Sequence, residues 1–172
     1  MFRWFAERRK ERKRLEELYE FTMSEIRKLQ PSRAKNLFIT LNDNFGEDFW
    51  IENDNNDNFE SVKDLFPEYL SNFFETYASS DFVCSELIIS KSQIRQSKLH
   101  SDYLCIGQDS GFSEVVIFPG KEDIYVLYND DHYTELSEYL EDGAQSIYNL
   151  IIERLCIDET IYEYVKKNFK NT

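Results

Sequence analysis

The chain has 172 residues, 41% hydrophobic and 16% aromatic, enough for one core and one globular domain. Its net charge of −13 is unevenly placed: residues 1–35 hold 11 Lys+Arg against 6 Glu, which leaves 9 basic and 27 acidic side chains of the total 20 and 33 to residues 36–172, a balance of −18. Such a body repels nucleic-acid phosphates and attracts cationic surfaces; no apolar run approaches the roughly 20 residues of a membrane span, and no apolar stretch follows the basic start as a secretory signal requires.

From Phe5 to Leu29 there is no Gly or Pro, and Leu15, Leu18, Thr22, Ile26 and Leu29 recur at three- and four-residue steps, the stripe of one helix. Residues 6–17 are mostly polar all round, so the anchored part is expected to start near Leu15, and Pro31 to end the helix. Leu37-Phe38-Ile39-Thr40-Leu41 reads as a short apolar segment and Asp48-Phe49-Trp50-Ile51-Glu52 as a strand, followed by loop chemistry from Asn53 to Asn58. Val62, Leu65, Phe66, Tyr69, Phe73 and Tyr77 have helical spacing, with Pro67 dividing two helical pieces.

Beyond Tyr77 the period changes to two. Phe82-Val83-Cys84 and Leu87-Ile88-Ile89 read as strands, and Tyr103-Leu104-Cys105-Ile106 as a strand entering a turn from Gly107 to Gly111. Glu114–Phe118 and Ile124–Tyr128, joined by Pro119-Gly120, complete an antiparallel meander. Asn129 to His132 form a loop; Ala144, Ile147, Tyr148, Ile151, Ile152 and Leu155 make a helical apolar face, and Asp158 is the candidate N-cap of a last helix. The order predicts an α+β fold: an antiparallel or mixed sheet of about five to six strands flanked by N-terminal and C-terminal helices.

The search for chemistry returns little. Three cysteines, an odd number at wide spacing, argue against a disulfide framework and for a reducing cytoplasm. His100 and His132 have no nucleophile motif around them, and with Cys84 and Cys105 they lack the paired spacing of zinc sites. Asp54-x-Asn56-x-Asn58 starts like a calcium loop, but Phe59 stands at the turn glycine and Leu65 at the bidentate glutamate. No glycine-rich phosphate cradle occurs. The expectation is a chain that is not an enzyme, with no cofactor, metal or catalytic residue.

Residues 62–155 resemble the SUKH superfamily, which includes fungal cell-wall regulators and many bacterial immunity proteins. Leu65-Phe66-Pro67-Glu68-Tyr69 is similar to its Leu-Pro-x-x-Tyr helix, and Tyr103 to Gly111 to its strand ending in Ile-Gly-x-Asp-Gly-Gly. Ala144-Gln145-Ser146-Ile147-Tyr148-Asn149-Leu150-Ile151 is similar to its Ala-Asp-Ser-Phe-x-x-Phe-Leu helix start. Ser110 replaces a glycine of that pattern, Phe66 precedes the proline, and Gln145 replaces an acid. With the helix read from its own stripe, the expected organisation is residues 1–30 as an N-terminal helix with a basic start, packed on a SUKH-like α+β domain over 31–172. It also implies a non-enzymatic module that binds proteins, most simply an immunity protein that neutralises a bacterial toxin.

An acidic body fits a basic toxin domain as partner, because charge complementarity steers association. Loops on a rigid sheet concentrate binding residues, so the expected contact surface is Asn42 to Asp57, Gln108 to Glu114 and the turns at Glu122-Asp123 and Asn129 to His132. Its candidate contact residues are Asp43, Glu47, Asp48, Asp54, Asp57, Asp109, Glu122, Asp123, Asp130 and Asp131. The alternatives are a regulatory scaffold whose basic N-terminal helix docks a separate acidic partner, or a motif-less enzyme pairing a carboxylate such as Asp109 with His132.

Overall fold

The computed structural model describes residues 13, 16, 19–46, 50–51, 62–77, 81–84, 87–108, 113–127 and 146–168. Among the described residues, five helices and an antiparallel sheet form the expected α+β fold, with helices on both the N-terminal and the C-terminal side of the sheet. The helices are α1 (residues 19–27), α2 (Pro31–Phe45), α3 (Glu68–Thr76), α4 (Ile147–Leu155) and α5 (Glu159–Asn168). The strands are β1 (Trp50–Ile51), β2 (Asp81–Cys84), β3 (Leu87–Ile89), β4 (Arg95–Gln96), β5 (Leu104–Gln108), β6 (Glu114–Ile117) and β7 (Ile124–Leu127).

The strands run in the order β1-β2-β3-β5-β6-β7, and the short β4 also pairs with β5. Ile89 lies opposite Gly107 and Arg95 opposite Cys105, so residues 90–94 of one chain segment face Ile106 alone. A 3-10 turn at Lys91–Gln93 takes up the excess, and the Ser90 hydroxyl caps it by accepting from the Ser92 N–H at 3.1 Å. β3 and β4 are thereby one strand interrupted by a wide bulge.

Pleating divides the sheet into two faces. Phe82, Cys84, Leu87, Ile89, Ile106, Val115, Ile117, Ile124 and Val126 meet the helices in the main core. Cys105, Val116 and Leu127 point the other way and cluster with Tyr103. Phe38 on α2 is the aromatic centre of the main core: its ring lies 4.9–6.1 Å from those of Phe73, Tyr77, Phe82 and Tyr148, which come from α3, its C-terminal end, β2 and α4.

Two expected elements are redrawn. Leu37 to Leu41 is no separate segment but the middle of α2, where Ala34, Leu37, Phe38 and Leu41 form one fully buried stripe at helical spacing. Pro31 does close off α1, yet it also stands in the first turn of α2, where its missing N–H costs nothing. Gly107 belongs to β5 and does not bracket a turn. Its hydrogen is needed for close approach: a Cβ there would lie 2.3 Å from the Ile88 carbonyl oxygen and 2.6 Å from Ile89 Cδ1. Among the described residues, the glycine with positive φ is Gly120, at 78°, in the β6–β7 turn.

Several expected boundaries hold. Pro67 is the N-cap of α3 behind a 3-10 turn at Lys63–Leu65, and the Asp158 carboxylate caps α5 by accepting from the N–H groups of Thr160 at 2.8 Å and Ile161 at 3.1 Å. Of the first stripe, Thr22 and Ile26 in α1 and Leu29 just after it are buried, while Leu15 and Leu18 lie outside the described residues.

One core group is expected to be improvable. The Tyr148 ring is buried at 1% exposure, and its hydroxyl finds no hydrogen-bond partner among the described residues. Burial, then the neighbouring Tyr77, raises its pKa above the ordinary phenol value, so it stays neutral. Tyr148→Phe keeps the ring contacts and removes an orphaned polar atom, and is expected to stabilise the fold by about 1 kcal/mol. The reading is a higher urea midpoint at unchanged slope, whereas a lower midpoint would mean that the hydroxyl is satisfied.

Candidate partner-binding surface

The β6–β7 turn, Phe118 to Asp123, carries two of the expected contact residues and is fastened from three sides. Gly120 supplies the left-handed corner, and the Lys121 N–H donates to the Phe118 carbonyl at 3.0 Å. From the helix side, the Tyr69 hydroxyl donates to the Glu122 carbonyl, and the Leu65 carbonyl accepts from the Gly120 N–H at 3.4 Å. From the far side, Phe118 stands edge-on to Tyr103 at 5.5 Å, and the Tyr125 hydroxyl lies 3.5 Å from an Asp123 carboxylate oxygen. Burial, then Glu122 and Asp123, pushes the Tyr69 phenol well above its ordinary range, which keeps the anchoring proton in place.

What this turn presents is acidic and partly apolar. Asp64, Glu68, Glu122 and Asp123 are exposed, with Lys121 among them, and Leu65 and Phe118 expose 45% and 38% of their surfaces. Exposed large apolar side chains ringed by charge are the composition of a binding patch whose centre is desolvated and whose rim is solvated.

Asp43 is placed elsewhere. It is exposed in the last turn of α2, a helical position where a loop from Asn42 onward was expected, and its charge helps raise the pKa of Tyr77 after the larger effect of burial. Tyr69 and Tyr77 stand at opposite ends of α3, about 12 Å apart at the rise of a helix. Asp43 and the Glu122–Asp123 turn therefore flank α3 and do not converge. Glu47, Asp48, Asp54, Asp57, Asp109, Asp130 and Asp131 lie outside the described residues, as does His132.

The expected Gln108 to Glu114 loop ends differently. Glu114 is the first residue of β6 and is buried at 2% exposure on the far face of the sheet. Its carboxylate accepts from Arg95 Nη1 at 2.5 Å, from the Ser97 hydroxyl, and from the Lys98 N–H at 3.2 Å. Ser97 in turn accepts from the N–H groups of Leu99 at 3.1 Å and His100 at 3.0 Å. Burial alone raises a carboxyl pKa; here the hydrogen bonds from Ser97, Arg95 and Lys98 outweigh it and hold Glu114 below its ordinary value. Its partners tie β4, through Arg95, and the segment from Ser97 to Leu99 to the start of β6.

The sulfur groups are equally committed to structure. All three cysteines are buried and no disulfide links them. Burial pushes the Cys105 thiol up to about 11 and the Cys156 thiol up to about 12, so neither supplies a thiolate nucleophile at neutral pH. An open cavity of about 620 Å³ beside α1 is lined by Tyr19, Met23, Arg27 and Glu153 among others; its floor is the bidentate Arg27–Glu153 pair, which ties α1 to α4.

In comparisons with known proteins, no family model matches the chain, and no curated protein or solved structure matches it significantly.

Proposed function

We propose that the chain is a non-enzymatic protein-binding module that captures a basic partner through its acidic surface. The observation that supports this reading best is the Phe118–Asp123 turn, held by Tyr69, Leu65 and Tyr103 and offering carboxylates beside exposed Leu65 and Phe118. Pre-fastened loops lose little conformational freedom on binding, and a −18 body accelerates encounter with a cation-rich surface. The finer reading follows from the resemblance of residues 62–155 to the SUKH superfamily: an immunity protein that neutralises a bacterial toxin by covering a basic domain of it, in a reducing compartment that suits three unlinked thiols.

The test uses the toxin encoded beside this protein's gene, or, lacking one, a panel of basic toxin domains. Glu122→Gln combined with Asp123→Asn is expected to slow association by about three- to tenfold at low salt and to leave the melting transition unchanged. Association rates that match the wild type at every ionic strength would rule the turn out as a contact surface. No binding to any basic toxin domain would remove the immunity reading.

A further inference from the structure

At the end of the far face nearest the 118–123 turn, four rings meet. Cys105 lies opposite Val116 and Val116 opposite Tyr125, and alternation along β5 and β6 carries Tyr103 and Phe118 to the same side. Tyr103 is the wall the others share: the rings of His100, Phe118 and Tyr125 stand at 84°, 82° and 84° to its plane, with centroids 5.4, 5.5 and 6.4 Å away. A perpendicular pair occupies one face of one ring. Among the described residues Phe118 makes that one ring contact and is 38% exposed, so at least one of its faces is left uncovered by the other rings.

The border of the ring cluster is anionic. Burial, then Asp102, raises the pKa of Tyr103; burial, then Asp123, raises that of Tyr125, whose hydroxyl lies 3.5 Å from the Asp123 carboxylate. Both acids are exposed, and among the described residues neither is in an ion pair. The nearby cations are engaged or placed elsewhere. Arg95 is held by Glu114, and Arg95 and Lys98 both act on Cys105, lowering a pKa that burial raises more strongly, whereas neither acts on Tyr103 or Tyr125. Lys121, in the turn itself, lies over none of the four rings and pairs with no acid among the described residues.

We infer that this cluster is the seat of an arginine side chain of the partner, its guanidinium laid against the exposed ring of Phe118 and its N–H donors turned toward the acidic border. The inference rests on the reading of the 118–123 turn as a contact surface for a cation-rich partner, and adds which cation that surface selects. Aromatic faces carry the negative end of the ring quadrupole and attract cations. A guanidinium is planar and weakly hydrated, so it stacks on a ring while the donors at its edge serve carboxylates; an ammonium is a compact, strongly hydrated charge without a face to stack. Ring and carboxylate side by side therefore favour arginine over lysine at equal charge.

The experiment is fluorescence anisotropy of a labelled peptide of alternating Arg and Leu, titrated with the full chain, beside a Lys/Leu peptide of equal length. The Arg/Leu peptide is expected to bind about three- to fivefold more tightly. Phe118→Leu is expected to abolish that preference and Phe118→Trp to keep or widen it, because indole is the strongest cation-binding face; a purely structural role for Phe118 would not produce this order. Asp102→Asn, outside the turn, is expected to weaken the Arg/Leu peptide by about two- to threefold at low salt. Phe118 and Asp102 are exposed, so neither replacement opens the core. Equal affinity for the two peptides, an arginine preference that survives Phe118→Leu, or binding of neither peptide would overturn the inference. Equal affinities that the Glu122→Gln, Asp123→Asn variant weakens alike would remove the arginine seat and leave the basic-partner reading standing. An arginine preference that depends on Phe118, beside toxin association indifferent to Glu122→Gln and Asp123→Asn, would do the reverse.

Discussion

Asn149→Ala is expected to lower stability by about 3 kcal/mol, because one side chain closes the C-terminal end of a helix more than 100 residues away in sequence. The Asn149 amide donates to the Ile26 carbonyl at 2.7 Å and the Leu29 carbonyl at 2.9 Å, while its own oxygen accepts from the Ser146 hydroxyl. A helix leaves its last carbonyls unpaired, and here those carbonyls are buried under α4, beyond the reach of water. Removing the amide strands the Leu29 carbonyl and the Ser146 hydroxyl, and takes one of two donors from the Ile26 carbonyl, which also accepts from the Leu29 N–H at 3.1 Å. Asn149→Asp is expected to be worse than alanine at neutral pH, since a carboxylate of the same shape would face those carbonyls with charge and no donor. Urea unfolding decides it: an alanine variant within about 0.5 kcal/mol of the wild type would mean that the α1 carbonyls have other partners.

Glu114→Ala is expected to cost a further large amount in its own region, about 3 kcal/mol, at the low end for a broken buried pair because Arg95 retains some contact with water. The carboxylate gathers a guanidinium, a hydroxyl and an N–H donor, and all three lose their acceptor together. The pH dependence has a definite sign. Since the folded-state pKa of Glu114 is depressed, its stabilisation is present above the ordinary unfolded value of about 4.3 and fades as pH falls through the lower folded value. Urea midpoints of the wild type and Glu114→Ala should therefore lie closer together at acid pH than at pH 7. A constant gap down to pH 2 would place the stabilisation elsewhere.

The α+β order and most element positions were legible because they rest on local pattern: the stripe through Thr22, Ile26 and Leu29, the short apolar runs of β6 and β7 bounded by turn residues, and the Asp158 cap. The middle of α2 was not, because five successive residues from Leu37 to Leu41 hide the helical stripe of Ala34, Leu37, Phe38 and Leu41 inside a run that suits either period. Gly107 and Gly111 looked like a turn pair because glycine advertises freedom of φ, whereas Gly107 answers to the Ile88 carbonyl lying against it. Asn149 read as an interruption of an apolar run and Glu114 as the polar edge of a loop. Their roles depend on partners 120 or more residues distant for Asn149 and across two strands for Glu114, which no local pattern encodes. Within the expected contact surface, loop composition located the Glu122–Asp123 turn correctly, but nothing in that composition foretold that Tyr69 would fasten it.

The tie between Asn149 and α1 also sets an order of events during synthesis. At about 5–20 residues per second, some 6–25 s separate the emergence of Ile26 from that of its amide partner 123 positions later. Throughout that interval the first helix has neither its end closed nor its buried face covered by α4, and Arg27 waits equally long for Glu153. The nascent chain thus carries an unfinished amphipathic helix from the emergence of α1 until α4 arrives, and a late step of folding joins the two.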